Sequence, residues 1–192
     1  MGHSQVEKGK THQRIVAIAA KRFREEGLAG IGIAEIMKDA GLTVGGFYKH
    51  FDSREDLVAE AVGSALGSWR RRLEAAAASG GPAVTYERLV DAYLSEVHCN
   101  NPGWGCTVSA LAGEIARSGE RPRALVAEQI RNNIQWIASL LGDKDEDAAR
   151  SKATLTFSAM VGAVVLARAV PEKKFAREIM NTVADRLKEL HS

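Results

Sequence analysis

Apolar residues recur at helical intervals along nearly all of the 192-residue chain, and no alternating β-branched run lasts more than a few positions. The pattern predicts an all-α protein of nine helices. Thr11 opens a first helix to Glu26 with Ile15, Ile18, Ala19 and Phe23 on one face, and Gly27 stands where a helix-ending glycine belongs. Gly32 to Ala40 predicts a second, with Ile33, Ile36 and Met37 inward and Gly41 closing it. Thr43 caps a third, very short helix that ends near Phe51. Ser53 caps a long fourth, with Glu55 and Asp56 favouring its dipole, running through Trp69 and Leu73 to Ala78.

Ser79-Gly80-Gly81-Pro82 interrupts the pattern, and a fifth helix follows to about His98 with Leu89, Tyr93, Leu94 and Val97 on its apolar side. The turn-rich stretch Asn100 to Gly105 leads into a sixth helix, Cys106 to Arg117. Pro122 opens a seventh that reaches Leu141 before Gly142. Asp145 begins an eighth that stops before Pro171, and Glu172 to Leu190 forms the ninth. There is no internal repeat, and the only low-complexity run is Ala75 to Ala78.

Composition narrows the class. Apolar content of 45% and charged content of 26% are those of a globular protein. The absence of an apolar leader core predicts a cytoplasmic protein. The weakly charged run Ala153 to Ala167 is shorter than the roughly 20 residues of a membrane span, so no membrane partner is expected. Cys99 and Cys106 match no metal or redox spacing and are expected to be reduced thiols; neither a metal nor a cofactor is expected. Net charge is only +2, but Lys8, Lys10, Arg14, Lys21, Arg22 and Arg24 face the single acid Glu7 in the first 24 residues. Such a footprint suits a segment beside a polyanion.

The second helix, the Gly41 turn and the third helix form a helix-turn-helix, whose second helix enters the major groove. Gly41 supplies positive φ, while Ala40 and Leu42 hold the two helices close. Thr43 offers a hydroxyl to a phosphate at a helix N-terminus. Gly45 and Gly46 each disfavour helix by about 1 kcal/mol, which makes sense where the backbone must press on base edges or methyl groups. Phe47 and Phe51 anchor the segment, whereas Tyr48, Lys49, His50 and Arg54 are expected to reach phosphates. Val44 and the two glycines carry no hydrogen-bonding side chain, so methyl contact and shape readout matter more than bidentate pairing.

From Gly41 to Leu57, GLTVGGFYKHFDSREDL resembles the DNA-binding signature of the TetR family of bacterial repressors. Its core is filled by Gly46, Phe47, Tyr48, His50, Phe51, Ser53, Arg54, Glu55 and Leu57. One departure is that Ile31-Gly32 stands where helix two usually opens with threonine or serine. The resemblance implies a nine-helix architecture, with a DNA-binding head over residues 1–52 and a regulatory, dimerising domain over residues 53–192. It implies a homodimer on palindromic operator DNA, released by a small-molecule effector bound among helices five to eight.

Candidate effector contacts are Tyr93, Val97, Trp104, Cys106, Leu111, Trp136, Phe157 and Met160. Cys106 stands at a predicted helix N-terminus, where a thiolate is favoured, and WGCTVSALAGEIA is similar to the same region of a TetR subgroup with electrophile-responsive members. Thr154, Ser158 and Gly162 form a small-residue stripe at four-residue spacing on helix eight which, with Val165 beside it, suits pairing with a second copy. Two other readings remain: a cysteine-dependent enzyme pairing Cys106 with His98 or Glu114, and a helical protein-interaction adaptor. Neither explains the helix-turn-helix, and no acid–base constellation supports the enzyme.

Overall fold

Residues with helical apolar spacing fold as helices throughout the computed structural model, which describes residues 2–71 and 86–189. The expectations for Leu73, for Ala75 to Ala78, for the break at Ser79 to Pro82 and for Leu190 lie outside the described residues. Among the described residues the order is α1 (Gly2–Glu26), α2 (Ile33–Asp39), a 3-10 segment (Val44–Lys49) and α3 (Arg54–Ala65). Then come α4 (Tyr86–Tyr93), α5 (Glu96–Asn100), a second 3-10 turn (Pro102–Trp104), α6 (Thr107–Ile115), α7 (Glu120–Leu141), α8 (Glu146–Ala169) and α9 (Lys173–Glu189).

Three boundaries differ from the periodic pattern. α1 begins well before Thr11; no proline interrupts residues 2–10, and past the terminal Gly2 the one glycine there, Gly9, disfavours helix by only about 1 kcal/mol. The predicted fourth helix is broken: α3 ends at Ala65, Leu66 is extended, Gly67 takes φ 69°, and helix resumes over 68–71. Apolar spacing runs unbroken across Ala65-Leu66, which hid that joint. The predicted fifth helix is also divided. The Ser95 hydroxyl donates to Ala92 O (2.9 Å) and accepts from His98 N (3.2 Å), ending one helix and capping the next.

Other ends follow the sequence. Gly27, Gly41 and Gly142 take positive φ where helices stop. Asp145 caps α8 by accepting from Asp147 N (3.0 Å) and Ala148 N (3.2 Å). At Gly32 the missing hydroxyl is offset: the Glu35 carboxylate takes the Gly32 N–H at 3.0 Å.

Ile15, Ala19 and Phe23 of α1 are buried with Ile36 and Met37 of α2, Phe47, Phe51 and Leu57, forming the core of the head. α3 packs on α1 on one side and α7 on the other, so it belongs to both halves. α8 is the central helix of the remainder, packed on α7 and α9, with Ala153, Phe157, Met160 and Val164 buried. By length and composition alone it could cross a membrane, at a mean hydropathy of 1.3, but it is a core helix. The Tyr86 hydroxyl bonds Thr156 Oγ1 (2.9 Å) and donates to Leu187 O (3.0 Å), tying α4, α8 and α9 together.

Candidate nucleic-acid interface

The segment after Gly41 is a 3-10 helix rather than a short α-helix, and Thr43 precedes it without a side-chain cap bond. Two adjacent glycines and an uncapped start leave too little to sustain an α-helical turn. The Thr43 hydroxyl therefore does not cap the segment, and its side chain faces solvent. Phe47 and Phe51 are buried and stacked, with centroids 5.3 Å apart, and His12 of α1 stacks on Phe51 at 4.5 Å. This pairing pins the segment from below while Thr43, Val44, Gly45, Tyr48 and Lys49 stay exposed. Tyr48 is 74% exposed, unusual for an aromatic beside a packed core.

The glycines are not required by the fold. A Cβ on Gly45 would meet nothing within 4 Å, and one on Gly46 would meet only Met37 Cε, at an ordinary 3.7 Å. Neither has positive φ. Gly45 is open to solvent, whereas Gly46 is half-buried over Met37.

Two sequence expectations about charge are corrected. Arg54 does not extend toward a phosphate: its guanidinium donates to the carbonyls of Leu28 and Ile31 (3.2 Å for the latter) and lies over the Phe23 ring. It fastens the start of α3 to the α1–α2 turn, because those carbonyls are left over where helix hydrogen bonding stops. The basic run of α1 is likewise partly spent inside the protein. Arg22 pairs with Glu26 (2.9 Å) and Asp39 (3.2 Å), Lys21 with Glu25 (3.7 Å), and Arg24 is buried against Gly103. Lys8 and Arg14 have exposed side chains nearer the amino end.

His50 is half-buried beside this face. Its imidazole is held below the usual histidine value, first by burial and then by His12, Lys8 and Lys49. His12 Nε2 stands 2.6 Å from the Glu60 carboxylate of α3.

The expected effector contacts do not surround one space. Tyr93, Cys106, Leu111, Phe157 and Met160 are buried, and Trp136 is half-buried with Arg70 stacked over it at 4.8 Å. Val97 is 74% exposed and Trp104 59% exposed, so both are corrected to surface positions. The Ser95 joint turns Val97 away from the apolar face of α4. Trp104 lies outside the core, with Lys21 over its ring at 5.7 Å.

Inside, Trp69, Tyr93 and His98 form an aromatic cluster with centroid distances of 4.6 to 5.7 Å. His98 Nδ1 donates to Tyr93 O (2.6 Å), and Nε2 accepts the Cys106 N–H (2.9 Å). Both ring nitrogens are thereby occupied, so His98 has no free lone pair to activate Cys106. Glu114 is similarly engaged: its carboxylate accepts from Leu28 N at 2.7 Å. Burial pushes the Tyr93 phenol well up, with the Cys106 thiol adding to the effect. The hydroxyls of Ser68 and Thr107 are buried without hydrogen-bond partners. Cys99 and Cys106 are unpaired buried thiols, and burial raises Cys99.

On the far side, Thr154, Ser158 and Val165 of α8 are exposed and Gly162 is half-buried. Leu155, Leu166 and Phe175 add large apolar side chains to the surface of α8 and α9, Leu166 being 58% exposed. A Cβ on Gly162 would meet nothing within 4 Å.

Residues 15–61 match the family model described as bacterial regulatory proteins, tetR family. The chain is 24% identical to the HTH-type transcriptional regulator LmrA of Bacillus subtilis over 188 residues, 94% of this chain and 98% of the relative. It resembles a TetR transcriptional regulator from Chloroflexus aurantiacus, with TM-score 0.75 and 27% identity, covering 95% of this chain and 96% of that one. A TetR-family regulator from Cytophaga hutchinsonii shares the fold with TM-score 0.76 at 19% identity, covering 95% and 96%.

Proposed function

Because the chain belongs to the tetR family of bacterial regulatory proteins, we propose that it is a homodimeric, signal-released repressor of a palindromic operator. It is a transcriptional regulator with a DNA-binding helix-turn-helix. In the proposed division, residues 1–52 form the head and residues 53–192 the cytoplasmic regulatory and dimerising domain, with α3 as the joint. Thr43, Val44, Gly45, Gly46, Tyr48, Lys49 and His50 meet DNA. The observation that carries this is the exposed run Thr43, Val44, Gly45, Tyr48 and Lys49 on a segment pinned from below by buried Phe47 and Phe51, with bare backbone at Gly45 open to a partner.

Tyr48 and Lys49 flank that bare backbone and take phosphates, while Val44 offers an apolar contact to a thymine methyl. One short reading segment covers few base pairs, so two are needed, about 34–36 Å apart on successive turns of the duplex. The stripe Thr154, Ser158 and Gly162, with Val165, Leu155 and Leu166, supports pairing of α8 and α9 with a second copy: open space over Gly162 lets another helix approach.

The unpartnered hydroxyls of Ser68 and Thr107 support a polar effector, or an electrophile reaching Cys106, in the interior that also holds Tyr93, Leu111, Phe157 and Met160. Such a signal need supply only about 1–3 kcal/mol of coupling to change operator affinity 5–150-fold.

Selection of duplexes from a random-sequence pool by the full-length protein tests the reading. Enrichment of a palindrome with half-sites about one turn apart is expected. Enrichment of no sequence, or of a lone half-site by a monomer, overturns it. Treatment with N-ethylmaleimide then tests the electrophile arm: operator release by wild type but not by C106S marks an electrophile sensor, and unchanged binding by both rules that arm out.

A further inference from the structure

Besides the packing of α3 on α1 and α7, two polar contacts converge on the carboxy-terminal end of α1 from the stretch 103–114. From the body side, Glu114 of α6 accepts the Leu28 N–H at 2.7 Å and the Ala29 N–H at 3.4 Å. These are donors left bare where α1 has ended at Gly27 and α2 has not begun. The turn is shaped around that carboxylate: a Cβ on Gly27 would lie 2.7 Å from Glu114 Oε1. From the head side, buried Arg24 donates Nε (3.1 Å) and a terminal nitrogen to the carbonyl of Gly103.

Both body partners lie on one short stretch, Gly103 three residues before Cys106 and Glu114 eight after it. Cys106 sits at the start of α6 with its N–H on His98 Nε2. The carbonyls of His98 and Cys99 are each held at 2.9 Å by Arg168 of α8. The stretch is thus anchored in the interior at its middle and fastened to the head on either side. Beside the Glu114 contact a groove of about 460 Å³, lined by Leu28, Val58, Arg117 and Pro122 among others, separates head from body. The Arg121–Asp56 pair across it, at 3.3 Å, is largely exposed and contributes little.

We propose that Glu114 and Arg24 are positioning residues that set the angle of the head on the body, and thereby the spacing of operator half-sites the dimer accepts. The proposal rests on the dimeric operator reading above. An interior change at Cys106 shifts both bonds together, since the same stretch carries both. A charged acceptor on two backbone N–H groups is among the stronger hydrogen-bond types, so its loss frees the turn.

The test uses full-length wild type, E114A, E114Q and R24M on the selected palindrome and on versions lengthened or shortened by one base pair between half-sites. Wild type is expected to bind the native spacing at least tenfold better than either altered one. E114A is expected to shrink that preference below threefold, with unchanged dimer mass and unchanged low-salt binding to random DNA. E114Q keeps an acceptor for Leu28 N and stays within threefold of wild type in spacing preference. R24M opens the other bond and follows E114A, which keeps the test decisive if E114A fails to fold. Wild-type spacing preference in folded E114A and R24M overturns the proposal, as does equal loss of random-DNA binding in both. A wild type that recognises no palindrome instead defeats the operator reading.

Discussion

Gly45 in the reading segment and Gly105 before α6 are small for opposite reasons. A side chain on Gly45 would enter open space, whereas a Cβ on Gly105 would lie 2.7 Å from Cδ2 of the buried His98 ring. The reading segment leaves open space above Gly45, while the interior around His98 leaves no room for one more carbon at Gly105. At Gly45 a side chain is tolerated by the fold, whereas at Gly105 it is not. The arginines divide likewise. Sequence placed Arg54 with the DNA contacts and counted Arg24 as surface charge, but both are consumed by backbone carbonyls within the protein.

The comparison breaks most visibly at the anchor beneath the open surface. Phe47→Ala removes a fully buried ring stacked on Phe51 and is expected to cost about 3–5 kcal/mol, measured as a urea unfolding shift, with DNA binding lost alongside. Gly105→Ala forces the His98 ring or the Cys106 N–H to move and is expected to cost about 1–3 kcal/mol by the same measurement. Gly45→Ala is the reverse case. Stability is expected to hold or rise by up to about 1 kcal/mol, while operator affinity in a fluorescence anisotropy titration falls at least tenfold. If G45A binds operator normally, the reading of that backbone as a DNA-contacting surface is wrong.

The smallest effect concerns protons. His50 in the folded head sits below its ordinary value of 6.5, so the unfolded chain binds a proton more readily than the folded one. Its contribution is fully present above pH 6.5 and is lost as pH falls from there through the lower folded value. Thermal unfolding between pH 5 and 8 is expected to show a drop on the acid side that His50→Gln reduces. An unchanged acid-side slope in that variant removes His50 as its cause.

Much of the architecture was legible because helix formation is a local matter. Ile15, Ala19 and Phe23 lie one helical turn apart, and their burial follows from spacing alone. Gly27, Gly41 and Gly142 were readable as helix ends because positive φ costs glycine little. Gly67 took the same conformation without being recognised, since its neighbours continue an apolar pattern across the break. Val97 was misplaced because a hydroxyl at Ser95 redirected the chain only two residues earlier.

By itself the sequence determined the helical class, the order of the helices and the helix-turn-helix, all of which depend on residues a few positions apart. Only the tertiary structure decided which charges remain for a partner and what holds the head in place. The Glu114–Leu28 bond joins residues 86 apart, and the Arg24–Gly103 bond residues 79 apart. No local pattern announces such pairs. A leftover N–H or carbonyl at a helix end must find a partner once water is excluded, and packing alone selects the side chain that reaches it.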